Sequence, residues 1–382
     1  MPDLGVYRFE GSPSAPVVVL LGSLGTTMAV WDGQLAALQP WFRLLRAEHP
    51  GHGGAGVPPG PGSVEALGQR LVGLIDRLGV ARAHVVGLSL GGLVGMWLAV
   101  NHPDRVDRLV LACVAPRFNA PESYRQRALS VRAQGTGSLV AGAMARWFAA
   151  PTAPANAEIV ARYSAMLAGI EAEGYAYCCE AVAGADLGPD LAHITAPTLV
   201  VGGALDTVVT PELATAAARA IPGAGLYVLP GGAHLVNVEQ PAAFNEAVLR
   251  HLAGTPEERG LAQRRSVLGQ DHVDRALAGA SPLTADFQTL LAKWPWGEVW
   301  ARPGLDRRTR RLVTIAMLVA LNRPEELEMH VRTALGDGIT EAELNEVLLQ
   351  TAVYAGLPAA NAAFAIADRV VRRREEAEAR PE

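Results

Sequence analysis

Gly87-Leu88-Ser89-Leu90-Gly91 is the feature that most constrains what this chain can fold into. It lies within HVVGLSLGGLVGMWLA (84–99), after an apolar run suited to a buried strand and before an apolar run of helical length. A strand that turns at once into a helix leaves no room for side chains beside the turn. Glycine on both flanks relieves that crowding and lets the central serine project its hydroxyl. The pattern predicts a strand–nucleophile–helix corner at the rim of a sheet, with Ser89 as the nucleophile.

The first two-thirds of the chain supplies such a sheet. VVVLL (17–21), RLLRA (43–47), HVVGL (84–88), RLVLAC (108–113), TLVVGG (198–203) and LYVL (226–229) are short apolar runs bounded by turn residues. Runs without polar alternation suit strands covered on both faces, which means a parallel sheet between helices. Over 64–78, Leu67, Leu71, Leu74, Ile75 and Leu78 recur at helical spacing and stop at Gly79. The alternation predicts a doubly wound α/β fold. From about 116 to 191 the strand signal disappears while 139–149 and 157–170 read as helices, so this stretch is expected to be a helical cap over the active site.

The polar, arginine-rich GTPEERGLAQRRS (254–266) reads as a linker between a domain of residues 1–253 and a second of 254–382. Beyond it, 307–321, 325–335, 341–354 and 359–373 carry helical patterns, which predicts a separate all-α domain. Thr340 with Glu343 forms a capping box, and Gly338 ends the preceding helix. The terminal RRREEAEARPE reads as a frayed, charged end.

A nucleophilic serine needs a base, and the base needs an orienting carboxylate. Asp206 follows TLVVGG in GALDTVVTP, and His234 follows LYVLP in GGAHLVNVEQP. Both fall at the C-terminal ends of strands, where open α/β sheets hold their chemistry. Taken singly, Asp206 could cap the helix opening at Pro211 and His234 could stand in a surface loop. Their joint placement with Ser89 favours a triad. The oxyanion-binding amides are expected from Leu90 and from Leu24, in the loop leaving the strand at 17–21. His49 and His52 are weaker candidates, because a turn-rich loop such as EHPGHGGAG leaves histidines exposed. His84, His102 and His193 are read as structural.

At 382 residues the chain has room for two or three domains. Its net charge of −5 offers no basic footprint for nucleic acid or an anionic membrane. The longest apolar stretch, 312–321, is about half the ~20 residues a membrane span needs. The opening MPDLGVYRFEGS lacks a signal peptide's basic and apolar regions. Cys113, Cys178 and Cys179 do not form a disulfide framework. The expectation is a soluble, cytoplasmic protein. No run of Cys, His and carboxylates has ligand spacing, so no metal is expected.

The blocks GSLGTTMAVWDGQL, RAEHPGHGGAG, GLSLGGLVGMWLA and GGAHLVNVEQP resemble the α/β-hydrolases, and among them the 3-oxoadipate enol-lactonases. Many hydrolases carry His-Gly where this chain has Gly22-Ser23, as enol-lactonases tend to have. Pro50 departs from the more usual Arg-Gly-His-Gly. The resemblance covers about residues 1–253 and implies Ser89, His234 and Asp206 as nucleophile, base and orienting carboxylate.

In the second domain His330 lies mid-helix in ELEMHVRTALGDGIT, among Leu327, Val331 and Ala334. The residues alone leave two readings open, a hydrogen-bonded core histidine or a catalytic one. Glu298, in WPWGEVW, either has its pKa raised by an apolar setting or pairs with Arg302, Arg307 or Arg308. LTADFQ, WGEVWARPGLDRRTRRLVTIAMLVAL and ELEMHVRTALGDGITEAELNEVLLQTAVYAGLPAANAAFAIA resemble the 4-carboxymuconolactone decarboxylases over about 262–373. That resemblance implies a cofactor-free decarboxylase with His330 as proton donor and Glu298 as a helper. The related alkylhydroperoxidases need Cys-x-x-Cys ahead of the helix histidine, where this chain has Arg323 and Glu326.

The two families catalyse consecutive steps of protocatechuate breakdown, so the resemblances imply a bifunctional enzyme acting on small lactones. The resembled decarboxylases form rings of small helical subunits, which implies a homo-oligomer held by the C-terminal domain. The competing reading is a general esterase with a C-terminal oligomerisation module. It predicts turnover of simple esters without a carboxylate preference.

Overall fold

The computed structural model describes residues 5–378 apart from 14, 119, 151, 152, 154, 155, 303 and 304. Residues 1–4, the start of the stretch read for signal-peptide character, lie outside the described residues. The chain divides into two compact units, Met1–Ala253 and Gly254–Glu382.

In the first unit seven strands form one sheet in the order β1-β3-β2-β4-β5-β6-β7. They are β1 Tyr7–Glu10, β2 Val17–Leu21, β3 Arg43–Ala47, β4 Ala83–Leu88, β5 Val106–Ala112, β6 Thr198–Gly203 and β7 Gly225–Leu229. β2 to β7 run parallel, while β1 pairs antiparallel with β3 along the edge, making the sheet mixed. β1 carries no long apolar run, so only its pairing with β3 marks it as a strand. All six residues of β4 are buried, as expected of a strand covered on both faces.

The helix Val64–Arg77 opens at Ser63, whose side chain accepts the Ala66 amide, and buries Leu67, Leu71, Leu74 and Ile75. Each of those side chains contributes about 2 kcal/mol of hydrophobic stabilisation. Between β5 and β6 the helices Pro121–Gln134, Val140–Trp147, Ala157–Ala168 and Ala172–Gly184 form the cap, with no strand among the described residues.

The stretch 254–266, expected as a linker, is instead helical over Pro256–Leu268. Thr255 and Glu258 close a capping box at its start, and Arg264 binds Gln288 while Val267 and Leu268 enter a core. Its polarity reflects an outward face and paired arginines, not loop conformation. Trp296 joins that same small core from a wide, π-helical turn at Ala292–Trp300. A second core forms among the helices Arg307–Ala320, Pro324–Gly336, Glu341–Ala355 and Leu357–Glu378. The last of these continues through most of the stretch read as frayed; residues 379–382 lie outside the described residues. Among the described residues no helix is long and apolar enough to cross a membrane.

Candidate active sites

Ser89 stands between β4 and the helix Leu90–Asn101 with φ at 53°, a left-handed conformation that a non-glycine residue adopts at a cost. A Cβ on Gly87 would collide with the Gly91 carbonyl, and one on Gly91 with the Leu21 carbonyl. Both flanking glycines are therefore steric requirements of the turn. The Ser89 hydroxyl donates to His234 Nε2 across 3.0 Å. On the far side of the ring His234 Nδ1 donates to Asp206 Oδ2 at 2.8 Å. Since a carboxylate only accepts, the imidazole proton sits on Nδ1 and the Nε2 lone pair faces the serine. The other Asp206 oxygen accepts the amides of Val208 and Val209 at 2.7 and 3.0 Å, so this loop, and not the next helix, takes its capping capacity. Glu239 braces the histidine loop by accepting the Ala233 amide at 2.6 Å.

Cys113 Sγ joins Asp206 and His234 in a buried group whose ligand atoms lie within 4.8 Å of one another. Spacing along the sequence gave no sign of this cluster. Its chemistry suits hydrogen bonding better than a metal. Burial, then the Asp206 charge, push the thiol well above its usual range, so it stays protonated. Asp206 and His234 are already committed to each other and to Ser89. All three cysteines are free and buried.

The serine opens into a cavity of about 240 Å³ beneath the cap. Leu24 and His234 line it, as do Tyr124, Arg127, Arg146 and Tyr175 from cap helices. The amides of Leu24 and Leu90 have no hydrogen-bond partner among the described residues, which suits them to receive an oxyanion. Neither Arg127 nor Arg146 pairs with a carboxylate among the described residues. Burial and then the neighbouring Arg127 charge hold Arg146 below the usual arginine range. His49 and His52, expected to be exposed, are both buried behind the Leu24 loop.

In the second unit His330 is buried on the helix Pro324–Gly336, its ring stacked on Trp300 at a centroid distance of 6.2 Å. Its Nδ1 has no partner among the described residues, unlike a satisfied core histidine. Burial, then the Arg311 charge, lower its pKa to about 4 against a smaller opposing pull from Glu326. Arg311 is only 1% exposed; one of its nitrogens binds Val267 O and Asp337, while Nε and Nη1 have no partner among the described residues. Glu298 is not enclosed by apolar side chains and does not take one of the expected partners. It is 44% exposed, and it pairs with Arg259 at 3.1 Å. Arg307 and Arg308 are taken instead by Asp337 and Glu343.

Residues 16–241 match the model of the alpha/beta hydrolase fold family. Residues 285–369 match the carboxymuconolactone decarboxylase family. The first unit is similar to 3-oxoadipate enol-lactonase 2 of Acinetobacter baylyi, 37% identical over 242 residues, or 63% of this chain and 90% of that protein. The second is similar to 4-carboxymuconolactone decarboxylase of the same organism, 50% identical over 113 residues, or 30% of this chain and 84% of that protein. Among solved structures, the enol-lactonase from Burkholderia xenovorans is 38% identical with a TM-score of 0.63, over 65% of this chain and 96% of that one. The chain belongs to both families.

As an α/β-hydrolase, the first unit has its three sequence-predicted polar residues in one hydrogen-bonded chain. Sequence reasoning missed Arg127, Arg146, Tyr124 and Tyr175, because cap helices present them from a segment whose pattern speaks only of helices. The carboxymuconolactone decarboxylase unit contains no cysteine, which closes thiol peroxidase chemistry to it.

Proposed function

We propose that the decarboxylase unit converts 4-carboxymuconolactone to 3-oxoadipate enol-lactone and that the hydrolase unit opens this lactone to 3-oxoadipate. The observation that carries the reading is the pair Arg127 and Arg146, which line the Ser89 cavity from the cap and pair with no carboxylate among the described residues. Two cations lining one cavity with a nucleophile suit a small substrate bearing a carboxylate, as this enol-lactone does. Ser89 attacks the lactone carbonyl as its proton passes to His234 Nε2, and the leaving oxygen departs as an enol that ketonises. Water then releases the acid from the acyl-enzyme.

In the other unit, the C–C bond to the γ-carboxylate breaks and CO₂ leaves. Its electron pair runs through the ring double bond onto the lactone carbonyl, and a proton returns at the α-carbon. The unpartnered nitrogens of His330 and Arg311 support a polar substrate there. Glu298, held by Arg259, has no part in this mechanism.

Arg127→Ala and Arg146→Ala should each raise KM for the enol-lactone about 10- to 100-fold, the worth of one charge-assisted hydrogen bond. Turnover of the neutral ester p-nitrophenyl acetate should stay within about threefold of the parent. Equal losses on both substrates would favour the general esterase. Self-association belongs to the same proposal and is supported by Val353, Tyr354 and Leu357, which are 75%, 82% and 75% exposed. So much apolar surface on a unit this small suits subunit contacts. Light scattering should find the full chain oligomeric and a hydrolase unit cut at Gly254 monomeric; a monomeric full chain contradicts this.

A further inference from the structure

His52 lies wholly buried behind the loop that carries Leu24. Its Nδ1 donates to Pro50 O at 2.8 Å, and its Nε2 accepts the Gly25 amide at 3.0 Å. A carbonyl and an amide on opposite sides fix the proton on Nδ1 and the lone pair on Nε2. His49 secures the loop's other end, donating through Nε2 to Gly22 O at 2.9 Å; the same carbonyl accepts the Gly91 amide at 3.0 Å. The Gly22–Ser23 peptide is thus tied to His49 and, through Gly91, to the elbow that bears Ser89, while the Leu24–Gly25 peptide is tied to His52. The other face of the loop meets the cap, where the Tyr175 ring stacks on His52 at 6.4 Å and lines the cavity beside Arg127.

We propose that His52 is a positioning residue for the hydrolysis, fixing the Gly25 amide through its Nε2 lone pair and so aiming the Leu24 amide at the oxyanion. The inference rests on the reading of the first unit as a serine hydrolase. An oxyanion donor is effective only if held in place before charge develops, because a mobile amide must reorganise during the reaction. Protonated Nε2 would offer a second donor to the Gly25 amide and release the loop. Burial, then the nearby His49, lower the His52 pKa to about 3, so the ring keeps its accepting form at neutral pH.

The test uses the full chain and p-nitrophenyl acetate, so it does not depend on the natural lactone. His52→Leu, which keeps bulk and loses the acceptor, should slow acylation on the order of 10- to 100-fold, below the loss from deleting an oxyanion donor outright. KM should move less than about threefold, and His52→Gln, whose amide oxygen still accepts, should recover most of the rate. A loss carried by KM, no loss, or a glutamine variant as slow as the leucine variant would overturn the proposal. Nitrogen NMR of the unaltered protein gives a check that needs no variant. Nδ1 protonated and Nε2 bare supports the proposal, and a proton on Nε2 overturns it. A parent that forms no acyl-Ser89 would overturn the hydrolase reading; one that acylates while His52→Leu keeps pace overturns this inference alone.

Discussion

Ser89→Ala will stop enzymatic release of 3-oxoadipate from the enol-lactone, with a loss on the order of 10⁴- to 10⁶-fold. Decarboxylation should continue at the parental rate. The hydroxyl within 3.0 Å of His234 is the only nucleophile the proposed triad offers, so neither His234 nor Asp206 can replace it. Supplied with 4-carboxymuconolactone, the variant should evolve CO₂ normally and accumulate the enol-lactone. The expectation rests on covalent division of labour: Ser89, Asp206 and His234 lie in the first unit, and His330 and Arg311 in the second. A folded Ser89→Ala protein that loses both reactions would mean that the two chemistries share a site.

Where the fold could be read from residues, a local rule and a tertiary demand pointed the same way. The β4 corner is the clearest case. Gly87 and Gly91 are needed for steric reasons local to the turn, and the flanking runs are apolar because both faces of the strand are covered. β1 gave no comparable signal. An edge strand of four residues with mixed burial has no pattern to set it apart from a loop, and it exists through its register with β3. At 254–266 a local signal was available and went unread. Thr255 and Glu258 spell a capping box, yet the density of arginine favoured a linker, and the partners that take up those arginines lie far along the chain.

The polar residues of the hydrolase site were legible because each sits at the end of a strand. The arginines proposed to bind a substrate carboxylate were not. Arg127 and Arg146 differ in no sequence respect from the exposed arginines beside them, and only the packing of cap helices turns them toward Ser89. His49 and His52 were misjudged for a related reason. Turn-forming glycines signal a loop, but they do not reveal that a cap helix closes over it. Gly51 O accepts the Glu171 amide, and a Cβ on Gly51 would strike Gly174. In the second unit, Glu298 was judged by its neighbours in sequence, whereas its partner Arg259 lies on another helix.

His330→Ala should lower decarboxylation by on the order of 10²- to 10⁴-fold, the span of a general acid, and leave lactone hydrolysis unchanged. The environment of His330 also sets a pH dependence whose sign can be worked out. Burial first, and the Arg311 charge second, hold its pKa near 4, so the ring is neutral in the free protein at pH 7. A proton donor must carry the extra proton, and the carboxylates of an arriving substrate favour that form. Binding should therefore take up a proton, detectable by calorimetry in buffers of different ionisation enthalpy. For the same reason kcat/KM for decarboxylation should rise as pH falls from 7 toward 5, because it follows the protonated fraction of the free enzyme. The residual activity of His330→Ala should lack that slope. A parent profile that falls over this range while the variant keeps the same shape would assign the proton to another group and leave His330 a packing residue against Trp300.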